Sequence, residues 1–171
     1  AICKRKHMSG LTAIVIGATG ATGTELVKQL MDDNRYTSVV VFSRRPLDFT
    51  HTKLTCHIVD FDNPQAWAHL VKGDVLFSAL ATTLKQAGSQ KEQYKIDYTY
   101  QYQTAAIAAA NGVAKYVLVS AMGANAKSWL FYPRIKGELD NAARALPFKQ
   151  IHIFRPGFLL RQPDKIRPME K

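Results

Sequence analysis

The chain has 171 residues, of which 47% are hydrophobic and 21% charged, so it can bury the core of one domain and is not intrinsically disordered. Its net charge of +10, from 23 Lys and Arg against 13 Asp and Glu, makes nucleic acids, membrane surfaces and anionic ligands the partners to consider. The two cysteines, Cys3 and Cys56, are too few for a disulfide framework, and no apolar run reaches the ~18–20 residues of a membrane span.

Apolar, strand-like runs alternate with helical patterns along the chain. In chain order, strands are predicted at residues 11–17, 38–43, 54–60, 74–81, 116–120 and 150–154, and helices at 21–32, 64–70, 90–111 and 133–145. Strands rich in Val and Ile without polar alternation are typical of a sheet covered on both faces, and strand–helix alternation indicates parallel order. The sequence therefore predicts an α/β fold, a Rossmann-type doubly wound parallel sheet with helices on both faces.

A glycine-rich turn, Gly17-Ala18-Thr19-Gly20-Ala21-Thr22-Gly23, follows the first predicted strand and opens the first predicted helix. Glycine allows a tight turn and a close approach of the backbone to a pyrophosphate, while amides at a helix N-terminus bind the phosphates. This context predicts a dinucleotide site that includes Gly17, Thr19, Gly20, Ala21, Thr22 and Gly23. The alternative is a turn that binds nothing; a Walker phosphate loop is excluded because no Gly-Lys-Ser/Thr follows.

The second predicted strand ends in Ser43-Arg44-Arg45, at the place where a dinucleotide fold contacts the adenosine ribose. An acidic residue there would bind the ribose 2′-hydroxyl and favour NAD, but the chain has none at this place. Arginine binds a 2′-phosphate through charge-assisted, often bidentate hydrogen bonds, so these residues favour NADP over NAD. The alternative is that one or both arginines are solvated loop charges.

In this order and spacing, the two motifs and five others resemble the atypical short-chain dehydrogenase/reductase superfamily, in its NAD(P)H-binding branch. The likeness is strongest to the Tat-interacting-protein-like oxidoreductases, and it covers most of the chain, from Leu11 to the region of Leu160. The five further motifs are Val59-Asp60-Phe61, Ser78-Ala79-Leu80-Ala81-Thr82-Thr83, Val119-Ser120-Ala121-Met122-Gly123-Ala124, Tyr132-Pro133-Arg134-Ile135-Lys136-Gly137-Glu138 and Phe154-Arg155-Pro156-Gly157.

The resemblance implies further contacts with the cofactor. Asp60 and Phe61 would meet the adenine; for Asp60 the alternative is a cap at the end of the strand, and for Phe61 an ordinary core position. The resemblance also implies that the segment after the fourth strand lines the cofactor; its residues are Leu80, Ala81 and Thr82. A segment near the end of the chain would flank the nicotinamide; its residues are Pro156, Gly157 and Phe158.

Tyr132 and Lys136 are four residues apart, which places both on one face of a helix that we expect to begin at Pro133. A nearby ammonium stabilises a phenolate and lowers the pKa of a tyrosine, so the pair suits acid–base chemistry. The resemblance implies that Lys136 also hydrogen-bonds the nicotinamide ribose, and that Ser120, at the end of the fifth strand, hydrogen-bonds the substrate oxygen. The predicted catalytic residues are therefore Ser120, Tyr132 and Lys136.

Together, these motifs predict that the chain is an NADP(H)-binding oxidoreductase. It would transfer hydride to or from a small carbonyl or alcohol, with Tyr132 as acid or base. Two alternatives stay open: a non-catalytic NADPH-binding redox sensor or regulatory protein, and a sugar-nucleotide epimerase or dehydratase.

The five histidines lack metal-ligand spacing, so no metal is expected. A stripe of Tyr94, Tyr98 and Tyr102 is predicted to face the core or a dimer partner.

The remaining expectations concern chain organisation and partners. Residues 1–10 are assigned to a basic tail, 11–160 to the NAD(P)-binding domain, and 161–171 to a basic segment interpreted as the start of a substrate-side region. Since residues 7–160 hold 16 basic and 11 acidic residues, without a basic stripe, no nucleic-acid partner is expected. A small-molecule substrate, no membrane association, a monomer or homodimer, and a cytoplasmic location are expected.

Overall fold

The structure is a computed structural model, and it describes residues 10–157 of the chain. Six parallel strands form one sheet in the order β3-β2-β1-β4-β5-β6. The strands are β1 Leu11–Ile16, β2 Tyr36–Ser43, β3 Leu54–Ile58, β4 Val75–Ser78, β5 Lys115–Val119 and β6 Gln150–Phe154. The α-helices are α1 Ala21–Asp32, α2 Leu84–Ala87, α3 Gln90–Tyr94, α4 Tyr100–Ala110 and α5 Phe131–Arg144. The predicted fold class, a doubly wound parallel sheet flanked by helices, is confirmed.

Strand β1 lies in the middle of the sheet and is buried on both faces. Ile14 and Ile16 pack with residues of α4 and α5 on one face, while Ala13 and Val15 pack with residues of α1 on the other. All four side chains are fully buried, and burial of a Val or Ile side chain contributes about 1.5–3 kcal/mol. The strand order reverses between β1 and β4, and this architecture binds ligands in the crevice at the carboxyl ends of those strands.

The helix predicted at 64–70 is instead two 3₁₀ turns, Pro64–Ala66 and Ala68–Leu70. Trp67 separates them, with a φ of −123° and a ψ of 0°. Its indole N–H donates to the Asp60 carbonyl at 2.8 Å, and its ring packs 5.3 Å from that of Phe42. A helix of two turns is marginal by itself, so this packing of the tryptophan decides the local backbone.

The helix predicted at 90–111 is interrupted by a π-turn, Lys95–Thr99, between α3 and α4. Such i→i+5 turns are rare and occur frequently at functional sites. The ends of β1–β5 and of α5 also differ from the prediction by one to three residues, and two of these differences concern the site. Strand β4 ends at Ser78, three residues before the predicted end, and α5 begins at Phe131, so Tyr132 lies inside its first turn.

The tyrosine stripe forms a ladder of stacked rings. The centroids of Tyr94 and Tyr98 are 5.0 Å apart and those of Tyr98 and Tyr102 are 5.9 Å apart. All three are half-buried, and Tyr98 and Tyr102 pack against the core.

Among residues 10–157, no helix has the length and apolar content to cross a membrane. The predicted C-terminal segment 161–171, most of the predicted N-terminal tail, and Phe158 lie outside the described residues.

Candidate active site

The glycine-rich turn joins β1 to α1 at the crevice. Gly17 has a φ of +83°, and a Cβ at this position would overlap the Ala79 carbonyl and the Leu80 amide. A Cβ on Gly23 would overlap the Gly17 carbonyl. Both positions therefore require glycine. Because glycine has no side chain, the ends of β1 and β4 can come close to the start of α1.

Helix α1 begins without a side-chain cap. Its N-cap residue is Gly20, whose amide donates to the Gly17 carbonyl at 3.1 Å. The amides of Ala21, Thr22 and Gly23 have no carbonyl partner within the part of the chain that the structure describes. Such amides, together with the positive end of the helix dipole, form an anion site, so the turn can hold a pyrophosphate.

A cavity of about 690 Å³ opens at the carboxyl ends of β1, β2 and β4. Its volume lies within the roughly 300–1,000 Å³ of small-molecule sites, and its place is the switch point of the strand order. It is lined by Gly17, Thr19, Gly20, Phe42, Ser43, Arg44, Arg45, Phe61, Ala79, Leu80, Ala81, Thr82, Gln86, Ala87, Glu92 and Ile96.

Ten of the predicted cofactor residues line this cavity, from the glycine-rich turn, the end of β2, Phe61 and the segment after β4. The residues that do not line it are Ala21, Thr22, Gly23, Asp60, Lys136, Pro156 and Gly157. Sequence reasoning missed the wall formed by α2 and α3, which includes Gln86 and Glu92. The signal for α2 was present, since the Thr83 side chain accepts from the Gln86 amide at 3.2 Å and Gly88 ends the helix.

Asp60 and Phe61 have different surroundings. The Asp60 carboxylate accepts the Asp62 amide at 2.9 Å, and its carbonyl accepts the Trp67 indole N–H, so Asp60 organises the turn after β3. Phe61 is buried, with its ring 5.3 Å from that of Tyr100, and it also lines the cavity. Phe61 therefore belongs to the core and to the cavity wall.

Arg44 and Arg45 lie exposed at the cavity, directly after β2. Neither guanidinium has a hydrogen-bond or ion-pair partner among residues 10–157, although the Arg45 backbone amide donates to the Ser43 hydroxyl at 3.4 Å. The other exposed arginines in the described part of the chain have partners, as Arg35 has in Asp33 at 2.6 Å. Two unpaired guanidinium groups at one cavity make it suited to an anionic ligand.

Ser120, Tyr132 and Lys136 lie outside the lining of the cavity. Ser120 follows β5, and its buried hydroxyl has no hydrogen-bond partner among the described residues. Tyr132 is 40% exposed in the first turn of α5, whereas Lys136, one turn later, is only 1% exposed. The chain enters α5 from the end of β5, so all three belong to the carboxyl edge of the sheet, where the crevice opens.

The Lys136 ammonium points into the protein, toward Asp97 in the π-turn. The Nζ–Oδ1 distance is 3.7 Å, and the other carboxylate oxygen of Asp97 accepts the Thr82 amide at 3.2 Å. Burial raises the pKa of Asp97 to about 6, although the lysine cation opposes this, and burial lowers the pKa of Lys136. Sequence reasoning missed Asp97; it is the one Asp, Glu, Lys or Arg between residues 96 and 114.

The sequence profile of a family described as NAD(P)H-binding matches residues 17–151, which include the whole glycine-rich turn. The chain belongs to this NAD(P)H-binding family, among the atypical short-chain dehydrogenases/reductases. The phosphate cradle and the adjoining cavity agree with that assignment, since both lie where the fold binds a dinucleotide.

Two curated relatives illustrate the family. Protein FMP52, mitochondrial, of Candida glabrata is 41% identical over 157 residues, which cover 90% of this chain and 66% of the relative. Protein HTATIP2 of Rattus norvegicus is 32% identical over 167 residues, which cover 95% of this chain and 69% of the relative. The likeness to Tat-interacting-protein-like oxidoreductases is confirmed. The chain spans about two thirds of the length of these relatives.

Two solved structures share the fold. MoeE5 in complex with UDP-glucose and NAD has a TM-score of 0.70 and 19% identity, over 84% of this chain and 53% of MoeE5. A short chain dehydrogenase from Burkholderia cenocepacia J2315 in complex with NADP has a TM-score of 0.69 and 15% identity, over 89% of this chain and 74% of that one. At these identities the likeness is one of fold.

The expected cytoplasmic location is wrong. The FMP52 relatives of Candida glabrata, Debaryomyces hansenii, Saccharomyces cerevisiae and Candida albicans, which are 36–41% identical to this chain, are all named mitochondrial. The expectation rested on the cysteine count, which does not distinguish the cytosol from a mitochondrial compartment.

Proposed function

We propose that this chain is an NADP(H)-dependent oxidoreductase that transfers hydride to or from a small carbonyl or alcohol, with Tyr132 as the acid or base. The observation that carries the proposal is a single cavity that joins the glycine cradle to two unpaired guanidinium groups, Arg44 and Arg45. The cradle suits the pyrophosphate that NAD and NADP share, and the guanidinium groups suit the 2′-phosphate that NADP alone carries.

The proposed chemistry needs one hydride and one proton. Bound NADPH supplies the hydride, and the protein handles the proton. In the reducing direction, the Tyr132 phenol donates its proton to the substrate oxygen, while the Lys136 ammonium, one helical turn away, stabilises the phenolate that remains. The unpaired Ser120 hydroxyl would donate a hydrogen bond to the same substrate oxygen.

A second candidate is an NADPH-binding sensor or regulator without turnover. The position of Lys136 supports it, because the ammonium is buried against Asp97 and lies outside the lining of the cavity. The retained Ser120, Tyr132 and Lys136 favour the enzyme, since a sensor needs no acid. Turnover of carbonyl compounds distinguishes the two. The epimerase alternative has the support of shared fold only.

The cofactor choice is tested by Arg44→Ala and Arg45→Ala. Each change should weaken NADPH binding about tenfold or more, because a hydrogen bond to a charged group is worth roughly 1.5–3 kcal/mol and 1.4 kcal/mol is a factor of ten. NADH has no 2′-phosphate, so its affinity should change little. The measurement is a fluorescence titration of both nucleotides against wild type and each variant.

Arg144→Ala is the matched control for this titration. Arg144 is an exposed arginine in the last turn of α5, at the opposite edge of the sheet from the cavity, where it donates to Asn141 at 3.2 Å. It should change neither affinity. Equal wild-type affinities for NADH and NADPH that Arg44→Ala leaves unaltered would refute the 2′-phosphate site.

The proposed partners are a small-molecule substrate and, at most, a second copy of the chain; nucleic acid and membrane partners are not proposed. The location proposed is mitochondrial, as the FMP52 relatives are named. Cell fractionation of the tagged, naturally expressed protein tests this, and co-purification with cytosolic markers alone would contradict it.

A further inference from the structure

We propose that Arg155 is a positioning residue of this site: its guanidinium binds Asp140 and thereby fixes helix α5, which carries the proposed proton donor, against the segment that follows β6. The inference rests on the proposed function, because it concerns the place of Tyr132 relative to Ser120. In this role Arg155 acts through Asp140 and not on the reacting atoms.

Helix α5 has three polar residues at a spacing of four, which are Tyr132, Lys136 and Asp140. Residues four apart lie on the same face of a helix, so the proposed acid, the lysine and the aspartate share one face of α5. Tyr132 is partly exposed at one end of this face, and Asp140 is fully buried at the other. A contact that holds Asp140 therefore also sets the position of Tyr132, about 12 Å along the helix axis.

Arg155 approaches α5 from the end of the sheet. At the end of β6, Ile153 packs against the core beneath α4 and α5, whereas Phe154 is exposed. Because side chains of a strand alternate between its two faces, Arg155 lies on the same side as Ile153, toward α5. Its Nε and Nη2 atoms are 2.9 Å and 2.7 Å from one carboxylate oxygen, Oδ2 of Asp140.

The segment that carries Arg155 is also bonded to the end of β5. The Ser120 amide donates to the Phe154 carbonyl at 2.7 Å, and the Met122 amide donates to the Pro156 carbonyl at 3.0 Å. Arg155 lies between these two acceptors along the chain. Its pair with Asp140 therefore connects the backbone that holds Ser120 to the helix that holds the proposed proton donor.

Stability alone does not explain this pair. Asp140 is 0% exposed, and its second oxygen, Oδ1, has no hydrogen-bond partner among the described residues. The loss of hydration of a buried carboxylate is large, and apolar residues of similar volume often replace a buried ion pair without loss of stability. A buried aspartate with one oxygen left unpaired is therefore a poor choice if its purpose is only to hold the helix in place.

Directional bonds supply what the apolar contacts of α5 lack. Ile135, Leu139 and Ala143 bury the helix in the core, but the hydrophobic effect is non-directional. Two charge-assisted N–H donors on one oxygen fix both a distance and an angle. Catalysis needs this precision, since a displacement of about 1 Å can cost roughly 10²-fold in rate.

Two other groups respond to the charge of Asp140. Burial lowers the pKa of Lys136, and the carboxylates of Asp97 and Asp140 oppose that change. Burial also raises the pKa of the Tyr116 phenol well above neutrality, and Asp140 adds to this effect. A test of positioning must therefore separate the bond between Arg155 and Asp140 from the charge of Asp140.

The first experiment measures amide hydrogen exchange without cofactor or substrate, in wild type, Arg155→Met and the double variant Arg155→Met/Asp140→Leu. The Met122 amide should exchange about tenfold faster or more in both variants, because the segment after β6 loses its anchor. The Ala79 amide, which donates to the end of β1 at 3.0 Å, should exchange at the wild-type rate. Equal protection of Met122 in all three proteins overturns the proposal.

The second experiment measures kcat for carbonyl reduction in the same proteins. Arg155→Met leaves Asp140 charged, buried and unpaired, so it should destabilise the protein, whereas the double variant should recover stability in urea unfolding. The kcat should nevertheless fall about 10²-fold in both. NADPH affinity should change little, because the glycine cradle and the Arg44-Arg45 pair are untouched. Arg155→Lys, which keeps a cation but not the planar fork, should have an intermediate kcat.

Arg35→Gln is the matched control. It removes another guanidinium that binds one aspartate oxygen through Nε and Nη2, at 3.0 Å and 2.6 Å from Asp33 Oδ2. Arg35 lies directly before β2, at the amino edge of the sheet, so its loss should change neither Met122 exchange nor kcat.

The outcomes separate this inference from the proposed function. A double variant that recovers kcat together with stability overturns the positioning role and leaves the oxidoreductase intact. A kcat that falls in the double variant but not in Arg155→Met assigns the effect to the charge of Asp140, which also overturns it. A wild type that binds NADPH and reduces no carbonyl compound overturns the proposed function, and the positioning role with it. A loss of about 10²-fold in both variants, beside faster Met122 exchange, supports both.

Discussion

Tyr132→Phe is expected to lower kcat/KM for carbonyl reduction by about 10²–10⁴-fold while NADPH still binds with wild-type affinity. The substitution removes the phenol oxygen, which is the proposed proton donor, and keeps the ring. Tyr132 is 40% exposed in the first turn of α5 and outside the lining of the cavity, so neither fold nor cofactor binding should depend strongly on it. The measurement is the loss of NADPH absorbance with a panel of small aldehydes and ketones, beside a fluorescence titration of NADPH.

Tyr102→Phe is the matched control, since it removes a phenol oxygen from a half-buried tyrosine on α4. It should leave turnover unchanged. Equal turnover by wild type and Tyr132→Phe would refute the acid–base role of Tyr132. NADPH binding without turnover in any of the three proteins would refute the enzyme and favour the sensor.

The fold class follows from the sequence because the apolar runs of the strands and the helical patterns between them alternate clearly, although most element ends shift by one to three residues. Helix α1 and strand β6 have the predicted bounds, and the strands of the sheet come in the predicted order along the chain. The segment around Trp67 could not be predicted, because a ring from elsewhere in the chain, that of Phe42, decides its backbone. The π-turn could not be predicted either, because one extra residue in a helix leaves the apolar pattern of residues 90–111 nearly unchanged.

The candidate site divides in the same way. Of the part predicted from local motifs, Gly17, Thr19 and Gly20 of the glycine-rich turn and the pair Arg44-Arg45 line the cavity. The part that depends on long-range contact was missed: Asp97 and Lys136 are far apart in sequence and meet only when α5 packs on the π-turn. Asp97 could have been noticed as a lone charge in an apolar helix pattern, but its partner and its link to Thr82 could not.

Gly17→Ala is expected to destabilise the protein by about 3 kcal/mol or more. Two costs add: a residue with a side chain pays roughly 1–2 kcal/mol for a left-handed backbone, and a Cβ forced into a packed region costs typically 1–3 kcal/mol. At Gly17 the obstacle is backbone, the Ala79 carbonyl and the Leu80 amide, so the chain cannot relax by turning a side chain. The ends of β1 and β4 would have to separate.

Gly112→Ala carries only the first of these costs, so the difference between the two variants measures the second. Gly112 has nearly the same φ, +85° against +83°, but a Cβ there would meet nothing within 4 Å. It should therefore lose only the roughly 1–2 kcal/mol of the backbone conformation. Urea unfolding of both variants measures the difference. If Gly17→Ala and Gly112→Ala lowered the free energy of unfolding equally, the contact between Gly17 and the segment after β4 would add no cost. Gly17 would then be required only for its left-handed backbone conformation.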